Sequence, residues 1–264
     1  MKTILLEQLW TAKKSIFFWS LALAGSSLLV IELYDSMATQ FTSAFEESGM
    51  PAGFEAFFGN MSAFSSPAGW LGLEMYSLML PISLAIVGIS AGSSAVGREE
   101  NSGTLELLLS SPISRSRLMI EKLTAVTLQL FIIAFAVWVT IALSKYFLNY
   151  DINLQDAALA TLSAFLVGLV FACSAAAIQA ISGSRSLAIG ICSGILIVTY
   201  FVDSLAPLVD VMDSIKHASV FHYYDGQEAL LGDGNVINSV ILFAASLILA
   251  ALAVFSFDKR DIGI

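Results

Sequence analysis

Six stretches of about 20 predominantly apolar residues run through the chain, at roughly 15–33, 72–96, 118–144, 157–181, 187–207 and 236–256. Each is long enough to cross the roughly 30 Å hydrocarbon core of a bilayer as a helix. In that medium every backbone polar group must find its partner within the protein, which leaves helical bundles and closed barrels. Barrel strands would be about 10 residues long and would alternate in polarity; these stretches do neither. Composition agrees. Hydrophobic residues make up 57% and charged residues 12% of the chain, whereas a soluble domain carries about 25% charged residues. Mean hydropathy is +0.83. The chain reads as an all-α integral membrane protein with six transmembrane helices, in one domain over 1–264.

Charge placement orients it. Lys and Arg favour the cytosolic side of a membrane in short loops. In a six-span arrangement all of the 12 Lys and Arg residues except Lys145 and Lys216 fall on one side. That side is read as cytosolic and holds both termini, giving a multi-pass protein of the cell (inner) membrane. The net charge of −9 comes mainly from acidic residues of the opposite loops, among them Asp35, Glu46, Asp151, Asp210, Asp225 and Glu228. An acidic chain without a basic cluster is a poor partner for nucleic acid. Cys173 and Cys192 fall inside spans and read as small apolar packing residues.

Residues 2–14 place Leu5, Leu6, Leu9 and Trp10 on one face and Lys2, Gln8, Lys13 and Lys14 on another. That pattern predicts an interfacial amphipathic helix; the alternative is the start of the first span. The segment 34–71 reads as a long, aromatic-rich outer loop. Pro81 inside the second span predicts a kink. Spans four and five are rich in small residues, including Gly168, Ala172, Gly190 and Gly194, which lets helices approach closely within one chain or between two copies. Between spans five and six, Val209, Met212 and Ile215 recur three apart and predict short amphipathic helices.

Several chemistries are missing. No Gly-x-x-x-x-Gly-Lys-Ser/Thr phosphate loop is present, so this chain has no such route to ATP. No metal-ligand spacing occurs; His217 and His222 are the only histidines and read as packing residues. Ionisable groups are nearly absent from the centre of the spans. Glu74 and Asp203 lie near the ends and read as hydrated groups. Ion-coupled transporters carry charged groups at midplane, so an independent secondary transporter is disfavoured.

The segment 97–117 is unlike its surroundings. Charged at both ends, it carries Leu105, Leu107, Leu108 and Leu109 in its middle. Gly97 and Gly103 are suited to ending helices in left-handed geometry. Thr104 is suited to cap a short helix over 105–110 that stops before Pro112, with Glu106 in its first turn suiting the helix dipole, and Ser114 to cap the next. Leu105, Leu108 and Leu109 share a face. Either they fold back onto the inner ends of the spans, or they dock in a groove of a cytosolic partner flanked by Glu99, Glu100 and Arg115.

The sequence Arg98-Glu-x-x-x-Gly-Thr-Leu-Glu-x-Leu-Leu-x-x-Pro-Ile-Ser-Arg115, followed by Lys122, resembles the signature of ABC type 2 transporter permeases. The N-terminal helix resembles that family's elbow helix. Ser219 to Gly232 resembles its outer re-entrant segment, with Val220 where Ser-Pro-Phe is usual, and Phe257 to Asp261 resembles its cytosolic tail. The resemblance implies the membrane half of an ATP-driven exporter, not itself an enzyme. A separate ATPase subunit would hold ATP and Mg, and a second permease copy would complete the unit. Residues 99–113 would form a coupling helix, with Arg98, Glu99, Glu100, Gly103, Thr104, Leu105, Glu106, Leu108, Leu109, Pro112 and Arg115 as the ATPase-coupling set. Pro81, Gly190 and Gly194 would belong to the translocation path. The apolar bundle suits a hydrophobic or amphipathic substrate such as a drug, antibiotic, lipid or peptide. The alternative is a non-transport membrane anchor or regulatory partner.

Overall fold

The computed structural model describes residues 4–48, 66–101, 103–104 and 113–260. Among them every regular element is helical, and six helices are long and apolar enough to cross a membrane. In chain order these elements are α1 (Ile4–Ser48), α2 (Pro67–Leu71), a π-helical turn (Gly72–Tyr76), α3 (Met79–Ser93), α4 (Gly97–Asn101), α5 (Arg115–Phe147), α6 (Leu154–Ser182), α7 (Arg185–Leu205), α8 (Asp210–Ile215), two 3-10 turns (Lys216–Ala218 and Phe221–Tyr223), α9 (Gly226–Leu230) and α10 (Val236–Lys259).

Two expectations change at the N-terminal side. The elbow over 2–14 and the span over 15–33 are not separate elements, because α1 runs unbroken through 45 residues. Residues 4–48 contain no proline and a single glycine, Gly25, so nothing in the local sequence ends the helix at Lys14. At 1.5 Å per residue α1 is about 68 Å long, roughly twice a bilayer core. It also takes up much of the predicted outer loop. Its far part is held by Trp70, whose indole donates to the Val30 carbonyl at 2.8 Å. Tyr34 packs edge-on against Tyr150 at 5.8 Å between ring centres.

Pro81 does not kink a helix from within. The interruption comes earlier, at Ser77 and Leu78, so Pro81 falls in the first turn of α3. There its missing N–H has no helical acceptor to lose. Upstream, the wide turn over 72–76 closes with Ser77 N–H on the Gly72 carbonyl at 2.8 Å.

The bundle is organised around α6. It packs against α3, α5, α7, α9 and α10, and its apolar window is 83% buried. That explains why α6 is apolar on all sides. The closest approach is between α3 and α6. A Cβ on Gly88 would collide with the Gly168 carbonyl, and one on Gly92 with the Ala172 carbonyl. A Cβ on Gly168 would lie 3.0 Å from the Cβ of Leu84. The small residues of span four thus serve packing within the chain. Those of α7 do not: a Cβ on Gly190 or Gly194 would meet nothing within 4 Å.

At the far end, the α7–α10 connection is pinned to the core. Ser219 Oγ donates to the Thr199 carbonyl at 2.8 Å and accepts from Phe221 N–H at 3.1 Å. Val220 has φ −64°, an angle that proline itself would impose, so this turn forms without the usual residue. Tyr224 Oη donates to the Tyr76 carbonyl at 2.7 Å, and the Tyr76 hydroxyl meets Thr161 Oγ1 at 2.6 Å.

Candidate functional site

The other end of the bundle holds both described termini, α4 and the start of α5. After α3 the chain turns through 94–96 and enters α4 at Gly97. Gly97 is not a left-handed helix end. Its lack of a side chain makes room, since a Cβ there would sit 3.1 Å from Arg185 Cβ and 3.2 Å from Gln179 Cγ. Gly103 does end a helix as expected, with φ +66°. Its N–H bonds to the Glu100 carbonyl at 3.1 Å and Thr104 N–H bonds to the Glu99 carbonyl at 2.9 Å. This pair of bonds is a Schellman closure.

Successive residues of a helix turn by about 100°, so Arg98, Glu99 and Glu100 face three ways. Glu99 pairs with Lys122 of α5. Lys122 is only 5% exposed and also donates to Gln8 Oε1 of α1 at 2.9 Å. Glu100 pairs with Arg260 and accepts from Gln179 Nε2 of α6 at 2.6 Å. Arg260 donates as well to the carbonyls of Gln179 and Ala180, at 3.1 and 3.0 Å, where a cation suits the negative end of the α6 dipole. Arg115 Nη1 donates to the Arg260 carbonyl at 2.7 Å. Ser114 caps α5 as the sequence predicts, accepting from Arg117 N–H at 3.3 Å. Four long helices and α4 are therefore tied by one polar network. Such a part-buried network is costly to break, because removing one partner strands a charge.

Of the predicted coupling residues, the structure brings together Arg98, Glu99, Glu100, Gly103, Thr104 and Arg115 at this end. Leu105, Glu106, Leu108 and Leu109, with Pro112, lie outside the described residues. Glu99 and Glu100 face inward to partners in this chain. Their partners Gln8 and Gln179 carry no weight in a motif reading, and Arg260 enters one only as part of the Phe257–Asp261 tail. The signal that could have exposed Gln179 is its position as an uncharged amide in a stretch of small apolar residues.

Arg98 goes its own way. With Arg185 it lines a cavity of about 230 Å³ between α1, α3 and α7, with Gln129 of α5 at its wall. Pro81 is buried within the bundle, while Gly190 and Gly194 are exposed on the outer face of α7. The structure does not bring these three to one place with the α4 network.

A family model for ABC-2 family transporter proteins matches residues 15–262. The chain belongs to that family. It is accordingly a membrane permease subunit of an ABC transporter, and membership implies an ATPase partner. The match extends from Ser15 of α1 through the end of α10, so it covers the network and the cavity apart from their residues in the first turns of α1, such as Gln8. No curated protein matches the chain.

Proposed function

We propose that this ABC-2 permease is the membrane half of an exporter, working as two copies beside a separate subunit that binds ATP and Mg and hydrolyses the nucleotide. The end carrying α4 faces the cytosol, a reading that the Lys and Arg bias supports. The segment 97–117 docks on the ATPase through Leu105, Leu108 and Leu109.

The observation that carries this reading is the network around α4. A push on the loop reaches α5 through Glu99–Lys122, and α6 and the end of α10 through Glu100, Gln179 and Arg260. One short helix thereby acts on three spans at once. Glu99 and Glu100 serve as internal levers, and the leucines supply the docking face. Gly190 and Gly194, open on the surface of α7, suit the approach of a second copy. The cargo is a hydrophobic or amphipathic compound.

Replacing Leu105, Leu108 and Leu109 together by Asp tests the docking. The variant inserts and folds but no longer co-purifies with the ATPase, and export stops. Retained ATPase binding and export would refute the reading, and an assembled complex that moves no compound would favour a membrane anchor.

A further inference from the structure

The inner cavity differs from the other openings in the bundle in its chemistry. Its walls mix hydroxyls (Ser15, Ser90, Ser94) and amides (Gln8, Gln129) with Trp19, Ile86 and Val87, and no carboxylate lines it. Two arginines do, Arg98 and Arg185.

The charges around it are already matched. Glu99 is engaged by Lys122 and Glu100 by Arg260, while Arg117 pairs with Glu121 at 3.0 Å. Among the described residues Arg98 and Arg185 have no carboxylate partner. Arg185 Nε is in addition buried without a hydrogen-bond partner. A buried charged donor left unsatisfied is expensive. Arg185 brings such a group to the cavity, and the more exposed Arg98 lines the same cavity from a second helix; together they call for an anion.

The cavity is also deep. Ser94 and Ile86 both line it, and they are separated by eight residues of α3, or about 12 Å along the axis. Arg98 and Arg185 stand in α4 and at the start of α7, and the apolar residues Trp19, Ile86 and Val87 lie further into the membrane-spanning part. Polar head and apolar depth together match an amphiphile.

We propose that this cavity binds the anionic phosphate head of a membrane amphiphile, held by Arg98 and Arg185, with its apolar part along Trp19, Ile86 and Val87. Arginine suits this task because its planar fork gives paired hydrogen bonds to phosphate oxygens. The inference rests on the fold and the cavity, and it stands whether or not the loop 97–117 docks an ATPase.

The test uses the full chain, purified in neutral detergent without any ATPase, so its failure leaves the coupling reading untouched. The protein is mixed with equal phosphatidylglycerol and phosphatidylcholine, and bound lipid is counted by native mass spectrometry. One phosphatidylglycerol should be retained in preference to phosphatidylcholine. Arg98→Gln and Arg185→Gln should each weaken retention about tenfold, while Arg117→Gln, outside the cavity, should not. Ser90→Phe, which fills the cavity without changing charge, should also abolish retention. It therefore decides the matter if an arginine variant misfolds. Equal retention of both lipids, or retention unchanged in these variants, would overturn the proposal. So would full displacement by millimolar inorganic phosphate, which would identify a soluble anion as the occupant.

Discussion

Gln179, fully buried in α6, donates from Nε2 to the carboxylate of Glu100 at 2.6 Å, and so joins the most enclosed helix of the bundle to the five-residue α4. Glu100 is held on its other side by Arg260. Replacing Glu100 by Ala removes the acceptor from both groups. We expect a loss of about 2 kcal/mol, below the usual range for a buried pair because the site is part-exposed. A thermal melt in detergent measures it. Arg260→Met combined with Glu100→Ala should cost less than the two single changes added, and strict additivity would show that the groups are not coupled.

The α3–α6 seam makes a second expectation. Gly88→Val forces a branched side chain against the Gly168 backbone and should destabilise by about 3 kcal/mol or prevent assembly. Gly25→Val, on α1 where a Cβ meets nothing within 4 Å, should melt within about 1 kcal/mol of the parent. Equal effects at both positions would show that close approach is not what the seam depends on.

The outer face of α7 makes a third. If a second copy seats on Gly190 and Gly194, Gly190→Cys should form a disulfide-linked dimer in oxidised membranes. Cys173 and Cys192 are buried and give little background. Ile248→Cys, 69% exposed on α10, should stay monomeric on a denaturing gel. Cross-linking at 248 but not at 190 would move the interface to α10.

The connection between α7 and α10 should respond to pH. Burial, then the charges of His217 and Lys216, hold the His222 pKa below its ordinary 6.5, against the opposing pull of Asp225 and Asp213. Asp203 Oδ1 lies 3.9 Å from Nδ1. A depressed imidazole pKa means that the unfolded segment binds more protons between the folded value and 6.5. Stability is therefore full above 6.5 and is lost as pH falls through that window. Hydrogen-exchange protection over 216–225, corrected for the pH dependence of intrinsic exchange, should fall between pH 7 and pH 5.5, and His222→Gln should flatten the change.

The six spans were legible because bilayer thickness fixes how many apolar residues a crossing needs; in the structure the starts of four of them are capped, by Ser114, Asn153, Ser184 and Asn235. The length of α1 was not, since an amphipathic face at Leu5, Leu6 and Leu9 looks the same on a separate helix and on the first turns of a longer one. At the site, Gly103 and Ser114 were readable because their roles are local. Lys122, Gln179 and Arg260 meet Glu99 and Glu100 across tens of residues, and the cavity exists only where Arg98 and Arg185 converge. No spacing rule within a single segment encodes such a meeting.

Gly88, Gly92, Gly168 and Ala172 bring two helix backbones so near that neither has room to roll over the other. Mechanically, α3 and α6 are one slab. By contrast α7 buries a narrow row, Ala188, Cys192 and Leu196, spaced four apart, with Ser204 near its far end. If work reaches α4 as proposed above, it would leave the slab intact and emerge as slippage of α7 along its edge, with α6 as the chassis.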